Sequence, residues 1–283
     1  MNTTVNADSA EFWNGVGAEK WLRFQDKMHT NLLPFGHEAM EAASISNDQM
    51  VLDIGCGCGD TSFEIGRRVT ANGHVHGLDI SNPFVTEARR RKASDDVKNV
   101  SFGCSDAQIH LFESGFYDVV FSRFGVMFFD DPVQAFRNIR NAMKPGGRLA
   151  FICWQPAADN EWVSVSLDIV AKHIPLPEPL GPEEPGPMSL GDVDRTKRIL
   201  NDAGFSEIRI KGSNTPFRIG ADIGEAIDFL TQLGPAGGAV FRSGADDKVI
   251  SKIATDLHHG LVPFLSPGGV RMGAATWIVT AKK

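Results

Sequence analysis

The chain has 283 residues, 42% hydrophobic and 22% charged, an ordinary soluble globular composition long enough for one large core or a core plus a cap. A formal net charge of −7 argues against a large nucleic-acid footprint, which needs a basic face. No run of about eighteen apolar residues occurs, so no membrane-spanning segment is expected. The first residues, MNTTVNADSAEFW, are polar and lack the basic-then-apolar order of an export signal. The four cysteines are therefore expected as reduced thiols in the cytoplasm, and Cys56 and Cys58 lie too close together to pair with each other.

Residues 10–44 carry Phe12, Trp13, Trp21, Leu22, Phe24 and Met28. They read as two amphipathic helices packed on a sheet or, more sharply, as a cap over a ligand at the sheet's edge. Alternation starts at residue 50. Val51–Ile54 is a short buried strand ending in glycines, Thr61–Val69 a helix, His74–Asp79 a strand, and Pro83–Ala93 a helix with Pro83 in its first turn. Val100–Gly103 and Tyr117–Ser122 are strands, Pro132–Met143 a helix closed by Lys144-Pro145-Gly146-Gly147, and Arg148–Trp154 a fifth strand. This order predicts a parallel, doubly wound sheet. The basic run Arg89-Arg90-Arg91-Lys92 reads as a solvated helix end placed well against the dipole.

Residues 155–190 hold Pro156, Pro175, Pro177, Pro179, Pro182, Pro185 and Pro187, a composition that neither continues a sheet nor extends a helix and suits a lid or binding loop. A helix (193–203), a strand (205–211), helical segments near 222–233 and 246–259, and a last strand, 274–281, follow.

The chemistry begins at residues 53–60, Asp-Ile-Gly-Cys-Gly-Cys-Gly-Asp. A structural zinc site wants four ligands in paired sets; Cys104 and Cys153 stand alone, so no metal is expected. The dinucleotide fingerprint wants glycine at residue 60, where Asp60 stands; its carboxylate would compete with a phosphate for the same N–H groups. A ligand without phosphate is favoured, and a nicotinamide-dependent oxidoreductase is disfavoured. Asp79 ends the second strand, where a carboxylate grips ribose hydroxyls. Asp106 follows the third, where it can accept from an adenine amine. With Asp53, three acids stand at successive strand ends, which suits a ligand with a positive end. S-adenosylmethionine fits: adenine, ribose, an ammonium, a sulfonium and no phosphate.

The segments VLDIGCGCGDTSFEIG (51–66), HVHGLDIS (74–81), CSDAQ (104–108), YDVVFSRFGVMFFDDP (117–132) and MKPGGRLAFICW (143–154) resemble the ordered motifs of class I S-adenosylmethionine-dependent methyltransferases. The nearest branch is the small-molecule one related to the ubiquinone/menaquinone-biosynthesis enzymes. The resemblance covers the sheet densely and extends loosely through WNGVGAEKW (13–21), DNEW (159–162) and the carboxyl-terminal AATWIVTAKK. It implies an α/β, Rossmann-like, doubly wound mixed sheet of about seven strands, the last inserted antiparallel. It implies four regions: a helical cap (1–44), an S-adenosylmethionine-binding core (45–154), a proline-rich lid or substrate insertion (155–191), and a carboxyl-terminal completion of the sheet (192–283).

By position, the resemblance lays Gly55, Cys56 and Gly57 along the methionine part of the cofactor. Thr61 offers its hydroxyl or backbone to the carboxylate, Asp79 holds the ribose and Ile80 lies against adenine. Asp106 and Ala107 meet the adenine amine and ring. Ser122, Arg123 and Phe124 border the ammonium, Ser122 through its carbonyl, and Trp21 covers the cofactor. Both loop cysteines are expected as small fillers. The Asn/Asp-Pro-Pro-Tyr/Phe motif of nucleobase and glutamine methyltransferases is missing after the fourth strand, where Ser122-Arg123-Phe124-Gly125 stands, so the partner expected is a small molecule rather than nucleic acid or protein. A homodimer is left open.

Methyl transfer from a sulfonium is an in-line displacement in which alignment and desolvation supply much of the rate. An alcohol or phenol gains from a base, an amine or thiol less so. His29 and His110 are the candidate bases, and Arg123 is a candidate anchor for an acidic substrate. His258 and His259 are expected on the surface. Phe24, Met28, Met127, Phe128 or Phe129, Trp154, Trp162 and Met188 suggest an apolar or aromatic acceptor. The competing reading is a cofactor-binding protein of the same fold with a regulatory or non-methylating role.

Overall fold

Glycine and phenylalanine break the amino-terminal region into three helices, not the two expected. In the computed structural model, which describes residues 5–70, 72–181 and 183–283, α1 spans Ala7–Asn14, α2 Val16–Arg23 and α3 Gln25–Ala43. Gly15 (φ −117°, ψ −126°) and Phe24 (φ −101°, ψ 8°) leave helical geometry and turn the chain between them. Residues 1–4 of the polar amino-terminal stretch and Pro182 of the proline-rich run lie outside the described residues.

The alternating core follows the apolar runs closely: β1 (Met50–Ile54), α4 (Asp60–Val69), β2 (His74–Asp79), α5 (Asn82–Ser94), β3 (Val100–Cys104), β4 (Tyr117–Arg123), α6 (Pro132–Ala142) and β5 (Met143–Trp154). The helix starts are capped as such sequences require. The Ser81 hydroxyl accepts from Phe84 N–H at 3.3 Å and the Asp131 carboxylate from Gln134 N–H at 2.9 Å, each just before a proline in the first turn. β5 starts earlier than expected because Met143 already pairs with Tyr117 across a bulge, so Lys144–Gly147 is an irregular stretch within a strand rather than a terminating turn.

Within the proline-rich stretch, Glu161–Val170 forms helix α7, contrary to expectation. The prolines flank this apolar segment instead of entering it. Beyond it come α8 (Val193–Asp202), β6 (Ser206–Asn214), β7 (Phe217–Gly220), α9 (Ile223–Gln232), α10 (Gly234–Ser243), α11 (Asp247–Leu261), β8 (Leu265–Ser266), β9 (Gly269–Met272) and β10 (Ala275–Lys282).

The main sheet has seven strands in the order β3-β2-β1-β4-β5-β10-β6, with β10 antiparallel to both neighbours. A second sheet, β7-β9-β8, sits apart. Strand order reverses between β1 and β4, and the crevice outside their carboxyl ends is where open α/β sheets bind ligands. The basic run is only partly the solvated helix end expected. Exposed Arg90 pairs with Glu87, but Arg89 donates to Phe102 O and Arg91 to Cys58 O, so α5 is tied to β3 and to the glycine loop. Among the described residues no helix is long and apolar enough to cross a membrane.

Candidate functional site

The turn after β1 is built by glycine. Gly55 has φ +67°, and a β-carbon there would stand 2.6 Å from the Gly125 α-carbon, so the loops after β1 and β4 touch at the point of strand reversal. Gly57 also has positive φ, and the space beside its α-carbon is open.

Gly57 N–H donates to Asp79 Oδ2 at 2.8 Å, and Ser81 N–H to Oδ1 at 2.9 Å. Burial pushes the Asp79 carboxyl up to about 6 against the pull of these amides. A buried carboxylate held only by backbone amides keeps lone pairs for two further donors, as a ribose diol would supply. Half-buried Ile80 follows it. Asp106, beyond β3, accepts from Gln108 N–H at 2.8 Å, and buried Ala107 sits beside it.

On the other side of the loop, Asp53 Oδ2 accepts from the hydroxyls of Thr61 and Ser62, both at 2.6 Å, while Oδ1 is buried with no hydrogen bond. Burial raises this carboxyl too, to about 6. The Thr61 hydroxyl proton is thus committed to Asp53, which leaves the backbone N–H of the two groups the sequence offered. Gly59, the residue capping α4, has no side chain to occupy those first-turn N–H groups.

Asp60 does not compete for the loop amides as expected. Its carboxylate faces away, to Gln25 Nε2 (2.7 Å), Arg91 (2.6 Å), His29 Nδ1 (3.2 Å, off the hydrogen-bond direction) and Arg123 (3.8 Å). Burial alone would raise its pKa; His29, Arg123 and Arg91 outweigh that and hold it well below the usual carboxylate range. The Arg123 side chain is only 11% exposed, and burial lowers its pKa despite Asp60 and Asp53.

Each candidate base has a polar neighbour at Nδ1. His29 lies against Asp60, and His110 Nδ1 lies 2.9 Å from Ser105 Oγ with its ring edge-on to Phe112. His258 and His259 are exposed. Burial raises the Cys56 thiol and pushes Cys58 up to about 12, which makes both poor nucleophiles. Trp21 packs with Trp13 and Phe84 around Cys58, so it covers the loop's outer side. The Ser122 hydroxyl donates to Ile54 O at 2.8 Å and accepts from Gly125 N–H at 3.2 Å, pinning β4's tip to β1's.

Phe124 has φ +61°, a left-handed conformation costly for a bulky side chain. It aims the ring at Trp154, stacked at 4.2 Å. Trp154 also meets Trp162, Phe35 and Phe217, and Phe24 meets Phe229. Phe24, Met28, Met127, Phe129, Trp154 and Trp162 are all buried, and Phe129 packs separately against Phe136 on α6. Half-buried Met188 lies in a segment whose Gly186 N–H and Ser189 hydroxyl donate to Met127 O. Phe35, Phe217 and Phe229 escaped sequence reasoning; Phe35 and Phe229 had a signal, one helical turn beyond Leu32 on α3 and beyond Ala226 on α9, each on a buried stripe. A recess of about 440 Å³ over β10, lined by Glu38, Arg209 and Lys211 among others, contains none of these residues.

A model of a methyltransferase-domain family matches residues 45–204. Aklanonic acid methyltransferase DauC of Streptomyces sp. is 32% identical over 118 residues, 42% of this chain and 54% of that protein. Demethylmenaquinone methyltransferase of Lactococcus lactis is 28% identical over 156 residues, 53% of this chain and 60% of that one. The chain thus spans little more than half the length of these curated relatives. The crystal structure of Bacillus subtilis YcgJ shares the fold, with a TM-score of 0.57 at 17% identity over 88% of this chain and 97% of that one.

Proposed function

Because this chain belongs to the methyltransferase-domain family, we propose that it transfers a methyl group from S-adenosylmethionine to a small apolar or aromatic molecule. The observation that carries the reading is the contact between Gly57 N–H and the buried Asp79 carboxylate at the strand reversal. It joins the glycine turn to the acid that would take the ribose. S-adenosylmethionine, when bound, would supply an electrophilic methyl carbon on a sulfonium whose sulfur leaves as a neutral thioether when the acceptor takes the methyl.

The protein's part is to bind, orient and exclude water. Asp79 takes the ribose hydroxyls, Asp106 with Ala107 the adenine, and Ile80 its face. The amides at the start of α4 face the carboxylate. Ser122 holds the β4 tip, where its carbonyl and the neighbours Arg123 and Phe124 border the ammonium. Trp21 closes the loop's outer side. Phe24, Met28, Met127, Trp154 and Trp162 supply apolar surface toward the acceptor, and the segment docked on Met127 closes that side.

His29 and His110 meet Asp60 and Ser105 through Nδ1, which leaves each Nε2 to take a proton from an alcohol or phenol, while a carboxylate, phenolate or thiolate would arrive with its lone pair already exposed. Incubation with S-adenosylmethionine and a panel of aromatic acids, phenols and thiols is expected to release S-adenosylhomocysteine with at least one class. Release with none across a wide panel would contradict transferase activity.

A further inference from the structure

Asn6 is 2% exposed and sits in a left-handed conformation (φ 52°, ψ 29°) that asparagine tolerates better than most residues. Its Nδ2 donates to both carboxylate oxygens of Asp106, each at 2.9 Å. Its Oδ1 accepts from Asp130 N–H at 2.6 Å, and its own N–H donates to Asp130 Oδ2 at 2.5 Å. An amide NH₂ with an acceptor beside it is thus offered to an acid and a backbone amide. Adenine offers the same pair, an exocyclic amine beside a ring nitrogen.

The helix that follows is fastened across the strand tips. Ser9 donates to Phe128 O at 3.0 Å beyond β4, and Asn14 donates to Ile80 O at 3.1 Å and accepts from Asn82 N–H at 2.9 Å beyond β2. Trp13 fills the space between, 5.4 Å from Phe128 and 5.9 Å from Phe84. Asp106 lies under this strap.

Resting on the reading of Asp106 as the adenine acceptor, we infer that the Asn6 carboxamide is an intramolecular stand-in for adenine. With the strap closed, Asp106 is already satisfied. S-adenosylmethionine must displace Asn6, so its apparent affinity is reduced by the fraction of molecules in which the strap is open. Removing the amide should raise that fraction. Placing a carboxylate there should do so by a different route, because it would face both Asp106 and Asp130.

Titration calorimetry with S-adenosylmethionine on full-length Asn6→Ala and Asn6→Asp tests this. If about nine molecules in ten are closed, both variants bind up to about tenfold more tightly than the parent. The Trp13 and Trp21 fluorescence change on mixing should also become faster. Affinity that is unchanged or weakened in both variants overturns the inference; weakening would make Asn6 part of the cofactor's own site. Asp106→Ala separates the two layers. If it weakens binding while Asn6→Ala does nothing, the adenine reading stands and the stand-in falls. If neither change alters affinity, both fall.

Discussion

Asp79 concentrates the chemistry of the site in one carboxylate. Burial raises its pKa to about 6, and ribose hydroxyls can donate only to its ionised form with full strength. S-adenosylmethionine affinity should therefore fall with pH through about 6. At pH 5, with about one Asp79 in ten ionised, binding is expected to be roughly tenfold weaker than at pH 8. Calorimetry across that range checks this, and a flat profile in the parent would contradict it. The stability consequence runs the other way. A carboxyl whose pKa is raised by folding contributes stability at low pH and loses it as pH rises through the folded value. The parent should thus lose about 1 kcal/mol relative to Asp79→Asn between pH 5 and pH 8, measured by denaturant unfolding. Asp79 was legible from its place at a strand end. The Thr61 hydroxyl was not, because only the fold brings it within reach of Asp53.

At the scale of elements, the question is what holds α3 against the glycine loop. Gln25 and His29 from α3, Arg91 from α5 and Arg123 from β4 converge on Asp60, the first residue of α4. Asp60→Ala would leave the buried Arg123 without this compensation and is expected to cost about 3 kcal/mol, read from denaturant unfolding at neutral pH; a loss below about 0.5 kcal/mol would show the network to be idle. The Asp60 pKa is lowered by folding, so its contribution is present above the ordinary carboxylate range and disappears as pH falls below it. A second tie is apolar. Phe35 on α3 packs against Phe124, Trp154 and Phe217, and Phe35→Ala should cost about 3–5 kcal/mol in the same assay. The sequence showed an acid at position 60 and its spacing from the glycines. It could not show which way the carboxylate turns, since all four of its partners lie 31 or more residues away.

Across the whole molecule, legibility tracked length and regularity. The parallel strands are buried on both faces, so they appear as unbroken apolar runs between glycines and prolines. The β10 strand was read from its own apolar pattern, the family resemblance implied its antiparallel insertion, and its antiparallel pairing with β5 agrees. The second sheet was missed because its strands have two to four residues, too few for a period to show. Helix α10, GPAGGAVFRS, was missed because its glycines disguise a helix held by packing on α9 and α7. The aromatic cluster joins α3, the turn after β4, β5, α7, β7 and α9, an assembly only the fold makes visible.

S-adenosylmethionine is proposed to bind over the glycine turn through Asp79. Titration calorimetry of the parent and of Asp79→Ala with S-adenosylmethionine, with NAD as a control, tests it directly. The expected result is saturable binding of S-adenosylmethionine to the parent, no binding of NAD, and affinity weakened by about a hundredfold or more in the folded variant, as the loss of two hydrogen bonds to a charged group implies. Binding of NAD alone, or equal affinity for S-adenosylmethionine in parent and variant, would contradict it.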